Sequence, residues 1–449
     1  MYQIEARPGW EWNRNYDKFS ASLMDGKGRL KFNGPFCKID EWVAFSRNVG
    51  VDYHVFEAKW HDGICYFDSK HTSWKTPVDY CKQFSEASKH AAIPFMYYYS
   101  NIFDHNPQFN DIQPLRSGTS SFIGLHSRSK WIIALFSFIF TLLTWRYKYL
   151  ATRKNKKNSP KQEQKSKYFD RFTFNSFVYN PWKYEKYLFK QLAELIEKYR
   201  CDGLWMDWYQ VEVAPEHHAS ADAVMQFMER KYPNTVLTFN FSLNGDLPWV
   251  HYLSHEAHGI DKAWEKANKY RKTRKPWELV SPAGQYWDNP ETRADPLEDA
   301  RIAAVVMASG GKSLFGMPSL MNGDLHAGPR RHLEILGNWY ASRRGLFIDA
   351  VPMAYAGNKV PGVSIDQKRF GTIGARHGDD ALLHVINFTG KKTAITLEFD
   401  RSSWKNVKKI VLEPREKELP ISATKSGVLV SLIENDIDRI DTILRISDH

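Results

Sequence analysis

Two kinds of segment alternate along the chain from residue 38 to about residue 345. Short apolar and aromatic runs of strand length are separated by longer stretches in which apolar positions recur with helical periodicity. This alternation is typical of repeated β-strand and α-helix units that build a parallel sheet. The predicted strands span residues 51–60, 93–101, 202–209, 235–243, 249–256, 276–281 and 312–318. The predicted helices include residues 39–48, 77–91, 184–199, 221–231, 298–308 and 331–342.

These seven predicted strands are one fewer than a (β/α)8 barrel contains. The predicted fold class is therefore α/β, a (β/α)8 TIM-like barrel whose first strand is apparently missing. After residue 346 the helical periodicity stops and strand patterns follow one another, which predicts a small C-terminal antiparallel β-sandwich. We divide the chain into a catalytic barrel domain at 1–345, with an apolar and basic insertion at about 122–175, and a sandwich domain at 346–449.

The formal net charge of +11 would favour nucleic acid or another acidic partner if it were spread over the surface. Between Arg128 and Arg171, however, twelve Lys and Arg residues stand against two acidic residues, so nearly all of the excess lies in one segment. The rest of the chain is close to neutral, which argues against a nucleic-acid partner. The four cysteines lack the spacing of a zinc site or a disulfide framework, so we expect no metal and no cofactor.

The inserted segment contains the uncharged apolar run WIIALFSFIFTLLTW at residues 131–145, followed by a Lys-rich stretch. Its length leaves open a membrane span, which needs about 20 residues, or a shorter buried helix. A true span would put the flanking strands on opposite sides of a bilayer, where they could not close one barrel. We therefore favour a surface insertion, which could contact a membrane through residues 131–157, or a translated non-coding stretch, over a transmembrane helix.

Carboxylates close several of the predicted strands, and in a barrel these strand ends form the active site. Asp207 follows the apolar run Gly203-Leu204-Trp205-Met206, and Glu256 ends another predicted strand between His255 and His258. Two carboxylates from different strands are the equipment for glycoside cleavage, one as nucleophile and one as proton donor. A helix cap or a salt-bridged loop is the commoner fate of a loop Asp. The aromatic neighbours of Asp207 nevertheless favour a catalytic role.

A further carboxylate, Glu278, follows Trp277 in the predicted strand at residues 276–281. It is the rival of Glu256 for the role of catalytic acid/base. We favour Glu256 because a strand-end carboxylate among histidines suits proton transfer, whereas Glu278 could hydrogen-bond a sugar hydroxyl or pair with Lys275.

Residues 52–72, DYHVFEAKWHDGICYFDSKHT, resemble the alpha-L-fucosidase pattern in which a strand ends in Lys-His-His-Asp-Gly-Phe and a Trp-x-Ser-x-x-Thr-like loop follows. Residues 184–207 look like that family's helix and nucleophile strand, and residues 309–323 are similar to its Gly-Gly-Asn…Pro…Asp-Gly stretch. The resemblance implies a retaining exo-glycosidase that removes fucose or a related sugar from a glycan by double displacement. It implies Asp207 as nucleophile, and it matches Glu256 to a position that serves as acid/base in parts of the family.

Two departures from the family pattern bear on the site. Trp60 stands where the family has the first of two histidines, which leaves only His61. The pair Glu11-Trp12 resembles a family motif that follows a first strand ending in His-Trp-Gly, and that strand has no counterpart here, so we expect an incomplete N-terminus. The predicted substrate-binding residues are Glu11, Trp12, Trp60, His61, Tyr99, Trp205, Asn240, His255 and Trp277.

Two other functions stay open on the sequence alone. A non-catalytic carbohydrate-binding relative would fit Trp60 and the absent first strand, and a membrane-associated protein would use the inserted segment. Members of the family are often secreted, periplasmic or lysosomal, but residues 1–10 show no signal-peptide pattern. The sequence fixes neither the compartment, the sugar linkage nor the oligomeric state.

Overall fold

The computed structural model describes residues 2–5, 30–32, 36–60, 62–101, 106, 181–207, 215–240, 242, 249–284, 293–353 and 359–447. Eight parallel strands in this part of the chain are β1 (Tyr2–Glu5), β2 (His54–Lys59), β3 (Phe95–Ser100), β4 (Gly203–Asp207), β5 (Val236–Phe239), β6 (Leu253–Glu256), β7 (Trp277–Pro282) and β8 (Lys312–Pro318). They form two sheets, β2-β3-β4-β5 and β6-β7-β8-β1. Because β5 lies beside β6 and β1 beside β2, the sheets together make the predicted TIM-like barrel.

The prediction of a missing first strand is wrong. Residues Tyr2–Glu5 form a strand that pairs in parallel with β8, with Tyr2 opposite Phe315 and Glu5 opposite Pro318. The strand is only four residues long and contains one aliphatic residue, so its apolar pattern is too short to be recognised from the sequence.

Helices cover the outside of the barrel, and their bounds follow local signals in the sequence. At one of them, the Asp79 side chain accepts a hydrogen bond from the Lys82 backbone N–H at 3.0 Å, and Ala92 ends the helix in the left-handed conformation with φ 53°. The helices are α1 (Ile39–Asn48), α2 (Tyr80–Ala91), α3 (Pro181–Tyr199), α4 (Pro215–Lys231), α5 (Ile260–Tyr270), α6 (Glu298–Ala308), α7 (Ala327–Ala341) and α8 (Arg344–Ile348).

The barrel strands are buried on both faces, as parallel strands are when helices cover the sheet. All six residues of β3 and all five of β4 are buried. One set of side chains fills the interior of the barrel, and the alternate set packs against the helices. The interior set comprises Val55, Trp60, Met96, Tyr98, Trp205, Val280 and Leu314. The outer set includes Tyr97, Tyr99, Leu204, Met206, Leu237 and Phe239.

Two antiparallel sheets follow the barrel and confirm the predicted β-sandwich. Their strands are β9 (Val351–Pro352), β10 (Val363–Ser364), β11 (Phe370–His377), β12 (Asp380–Asn387), β13 (Ile395–Asp400), β14 (Lys409–Glu413), β15 (Lys417–Glu418), β16 (Ile421–Ala423), β17 (Gly427–Leu432) and β18 (Asp441–Ser447). The sheet orders are β10-β13-β17-β16 and β15-β14-β18-β12-β11-β9. The exact division at residue 345 stays a prediction.

Helix α6 joins the barrel to the sandwich. It packs on β8 on one side and on β11 and β12 on the other, which explains why nine of its eleven residues are buried. The Arg301 side chain on this helix donates from Nε to the Arg439 carbonyl at 3.2 Å. A ring contact at 5.4 Å between Trp264 and Phe388 adds a second link between the two parts of the fold.

The predicted insertion at about 122–175, with its apolar run at 131–145, lies outside the described residues. Among the helices that the structure does describe, none is long and apolar enough to cross a membrane.

Candidate active site

Asp207 is the last residue of β4 and points into the barrel with 4% of its surface exposed. The Tyr98 hydroxyl donates to its Oδ2 atom at 2.5 Å, and the Asn240 side-chain amide donates to its Oδ1 atom at 3.0 Å. Both donors stabilise the ionised carboxylate. Strand β4 can lie this close to its neighbours because it begins with Gly203, where a Cβ atom would come within 2.8 Å of the Val236 carbonyl.

Glu256 is the last residue of β6, and Asn240 joins it to Asp207. The same Asn240 amide nitrogen lies 2.8 Å from Glu256 Oε1. On the other carboxylate oxygen, Glu256 Oε2 contacts His258 Nε2 at 3.0 Å. The two strand-end carboxylates predicted from the sequence therefore meet across one amide nitrogen, and His258 joins the same site.

Lys266 of α5 lies behind the carboxyl end of β6. Its ammonium group donates to the Glu256 backbone carbonyl and contacts His255 Nδ1 at 2.9 Å. Burial lowers the pKa of Lys266 to about 8, and the negative charge of Glu256 opposes this shift. Burial also lowers the pKa of His255 to about 4, with the neighbouring Lys266 cation acting in the same direction. A positive charge thus sits close behind Glu256 at neutral pH.

Three aromatic rings stack in the barrel interior beneath the carboxylates. The Tyr98 ring stacks on Trp60 at 5.0 Å between centroids and on Trp205 at 5.4 Å. Trp60 and Trp205, two of the predicted substrate-binding tryptophans, are 6% and 1% exposed and line the barrel interior. Tyr98 was not among the sequence candidates.

Glu278 lies deeper in the barrel than the other two carboxylates. It is the second residue of β7, beside Ser254 of β6, and is fully buried. The Trp205 indole donates to its Oε1 atom at 2.7 Å, and the Tyr53 hydroxyl donates to its Oε2 atom. Substrates enter a barrel at the carboxyl ends of the strands, and Glu278 lies below those ends. Its predicted roles, rival acid/base or sugar ligand, therefore stay predictions, and the position favours Glu256 as the acid/base.

Three predicted substrate-binding residues, Tyr99, His255 and Trp277, face the helices, so the structure does not bring them together with Asp207 and Glu256 inside the barrel. The Tyr99 hydroxyl donates to Gln191 of α3 at 2.5 Å. The rings of His255 and Trp277 both contact Tyr270 of α5, at 6.1 and 6.0 Å. The reason is the two-residue period of a strand: Tyr98, Glu256 and Glu278 point inward, so their neighbours point outward.

Glu11, Trp12 and His61, which the sequence also predicts to bind substrate, lie outside the described residues. Within the described ranges, no group of three or more His, Cys, Asp and Glu side chains is arranged to hold a metal ion.

An eight-stranded βα barrel that brings two carboxylates together at the carboxyl ends of its strands has the architecture of a barrel glycoside hydrolase. The chain belongs to the alpha-L-fucosidase family, whose family model matches residues 7–343. This confirms the predicted family and the assignment to the glycoside hydrolases. No curated protein matches the chain.

Solved structures of alpha-L-fucosidases share the whole fold at low sequence identity. Isoenzyme 1 from Paenibacillus thiaminolyticus is 18% identical with a TM-score of 0.62, and the match covers 100% of this chain and 96% of that one. The Bacteroides thetaiotaomicron enzyme, solved as a trapped covalent intermediate with 2-fluoro-fucosyl fluoride, is 15% identical with a TM-score of 0.61 over 98% and 88%. The Thermotoga maritima enzyme is 15% identical with a TM-score of 0.60 over 97% and 83%.

Proposed function

We propose that the protein is a retaining alpha-L-fucosidase that removes terminal fucose from a glycan, with Asp207 as nucleophile and Glu256 as acid/base. The observation that carries this proposal is the Asn240 amide nitrogen, which lies 3.0 Å from Asp207 Oδ1 and 2.8 Å from Glu256 Oε1. The distance between Asp207 Oδ1 and Glu256 Oε1 therefore cannot exceed the sum of these two distances. Retaining enzymes place their carboxyl groups about 5–5.5 Å apart and inverting enzymes about 6.5–9.5 Å.

In the first step, an Asp207 oxygen attacks the anomeric carbon while the bond from that carbon to the leaving oxygen breaks. Glu256 gives its proton to the leaving oxygen, so the aglycone departs as an alcohol and the sugar stays as an ester on Asp207. In the second step, Glu256 takes a proton from water as the water oxygen attacks the anomeric carbon and releases Asp207. The sugar leaves with its original anomeric configuration.

The neighbours of the two carboxylates fit these separate roles. Tyr98 and Asn240 both donate to Asp207, and donors of this kind keep a nucleophilic carboxylate ionised. Glu256 also accepts a hydrogen bond from Asn240, but its other carboxylate oxygen contacts His258, and its side chain is 21% exposed. Glu256 can therefore exchange its proton with water between the two steps, whereas Asp207 is only 4% exposed.

The test is covalent labelling with 2-fluoro-fucosyl fluoride, which stalls a retaining enzyme at the ester. We expect the intact mass to rise by one fluorofucosyl group, peptide mapping to put the label on Asp207, and Asp207→Asn to remain unlabelled. Hydrolysis of an aryl alpha-L-fucoside followed by proton NMR should show the alpha anomer of fucose first. Label on another carboxylate would refute the nucleophile assignment, and fucose binding without labelling or turnover would support a non-catalytic relative.

A further inference from the structure

The buried carboxyl group of Glu278 takes no part in the proposed mechanism. It is fully buried, yet it sits at the centre of hydrogen bonds from residues of three different barrel segments: Tyr53 before β2, Trp205 of β4 and Ser254 of β6. Burying a carboxyl group in a barrel core is costly unless donors satisfy it, and an apolar side chain would fill the space without that cost. The arrangement therefore calls for an explanation beyond packing.

The Trp205 contact links Glu278 to the proposed nucleophile. Strands β4 and β7 belong to different sheets, so the hydrogen bond from Trp205 Nε1 to Glu278 Oε1, 2.7 Å long, crosses the barrel interior. The Trp205 ring stacks on Tyr98 with an angle of 23° between the planes. The Tyr98 hydroxyl in turn donates to Asp207. One carboxyl group deep in the barrel is thus connected to the catalytic carboxylate through two stacked rings.

Stacking alone does not fix the Tyr98 ring. Stacked rings can slide and turn in their planes at small cost, because aromatic contacts contribute only about 0.5–1.5 kcal/mol beyond area burial. A hydrogen bond at the ring edge removes this freedom from Trp205, and Trp60 closes the stack from the other side at 5.0 Å. Burial raises the pKa of Glu278, and its hydrogen-bond donors act against that rise.

We propose that Glu278 is a positioning residue, which holds the Trp205 indole so that the ring stacked on it, Tyr98, keeps its hydroxyl on Asp207. This inference rests on the proposed function, because it assumes that Asp207 is the nucleophile. It assigns Glu278 to catalysis without contact with the substrate.

The kinetic test compares two replacements of Glu278 in two backgrounds. Glu278→Gln keeps an acceptor oxygen for Trp205, and Glu278→Met removes it. We expect kcat of the Gln variant to exceed that of the Met variant by about 10- to 100-fold, with KM changed less than threefold. In a Trp205→Phe background, where the ring can stack but cannot donate, the Gln and Met variants should have equal kcat. An equal Gln/Met ratio in both backgrounds would refute the proposal.

A matched pair covers the case in which Glu278→Met does not fold. Trp205→Phe and Ser254→Ala each remove one donor from the same Glu278 oxygen, at 2.7 and 2.8 Å. We expect Trp205→Phe to lower kcat and to move the acidic limb of the pH–rate profile upward, because Asp207 loses a well-placed donor, while Ser254→Ala leaves that limb in place. If the acidic limb of the pH–rate profile lies at the same pH in both variants, Glu278 does not act through Trp205 and the proposal is refuted.

A measurement independent of turnover separates this inference from the proposed function. In protein labelled with 15N-tryptophan, the Trp205 indole resonance, assigned with Trp205→Phe, should stay in place in Glu278→Gln and move upfield in Glu278→Met. An unmoved resonance would contradict the inference. A wild-type enzyme that neither turns over fucosides nor reacts with the fluorosugar, but shows the expected indole shifts, would contradict the proposed function alone.

Discussion

The Asn240 side-chain amide nitrogen lies 2.8 Å from Oε1 of Glu256. Asn240 follows β5 directly and is 2% exposed, so its side chain has little freedom to leave this position. Because the same nitrogen also contacts Asp207, a single side chain sets the spacing of the two carboxylates to which the proposed mechanism assigns catalysis.

Replacing Asn240 should lower the turnover rate, because its amide group donates to both carboxylates. We expect Asn240→Ala to lower kcat by about 10- to 100-fold, because both carboxylates lose a hydrogen bond made to a charged group. Asn240→Asp should be at least as damaging, since it replaces the donor with a negative charge beside the ionised Asp207. Steady-state kinetics on an aryl fucoside measures both. If the Asp variant keeps wild-type activity, Asn240 only fills space.

Tyr98 and Tyr99 are neighbours in β3 that point to opposite faces of the strand, so replacing each one tests whether the active site lies in the barrel interior. Tyr98→Phe should lower kcat by about 10- to 100-fold because Asp207 loses a donor 2.5 Å away. Tyr99→Phe removes a hydroxyl that donates to Gln191 on the helix side, so it should lower the melting temperature but leave kcat within twofold of wild type. Kinetics and thermal unfolding of the two variants distinguish the faces. The reverse result would mean that the site lies outside the barrel interior.

The Lys266 charge should shape the alkaline side of the pH–rate profile. A cation behind Glu256 stabilises its ionised form, so Lys266→Met should let Glu256 keep its proton to higher pH and move the alkaline limb of kcat/KM upward by about half a pH unit. Lys266 itself has a pKa of about 8, so the difference from wild type should narrow above that pH. Lys262→Met, at an exposed site on the same helix, is the control. A limb that moves downward would contradict the sign of this interaction.

Acid should destabilise the fold through a buried histidine. His54 of β2 is 1% exposed, contacts Ser88 at 2.8 Å, and has its pKa lowered by burial to about 3. The unfolded chain binds a proton there near pH 6.5, so stability from His54 is complete above that pH and is lost as the pH falls toward 3. The loss between pH 6.5 and 4.5 should be about 2–3 kcal/mol in unfolding free energy.

Urea unfolding at several pH values measures this loss. His54→Leu should be less stable than wild type at pH 7, but its stability should fall less steeply below pH 6.5. His90→Leu, an exposed position on α2, is the control and should keep the wild-type slope. Parallel slopes in wild type and His54→Leu would exclude His54 as the cause of acid sensitivity.

The sequence was sufficient to predict seven of the eight described barrel strands and, with them, the two carboxylates that end β4 and β6. It could not show which side chains of a strand face the interior. Strand β3 reads Phe-Met-Tyr-Tyr-Tyr-Ser and is buried on both faces, so three tyrosines in a row give no alternation that separates Tyr98 from Tyr99. In β6 a signal did exist: residues two apart share a face, so an inward Glu256 requires an outward His255.

Contacts between distant segments were also beyond the sequence. Asn240 and Lys266 reach Glu256 from different elements, and one sequence contains no pattern that pairs them. Helix α5, which carries Lys266, has its apolar residues confined to a narrow stripe and was not recognised. Strand β1 was too short to recognise.

The position of strand β1 in the chain affects when the barrel can close during synthesis. Its partner β8 lies more than three hundred positions later in the chain, so a ribosome finishes β1 long before β8 exists. Until then the neighbouring strand edges have no barrel to join, and bringing such distant segments together carries a high loop-closure cost. The growing chain therefore passes through an open state with unpaired strand edges, the kind of state that aggregates most readily. Chaperone supply and synthesis speed should govern the yield of folded protein more than the strength of its finished core.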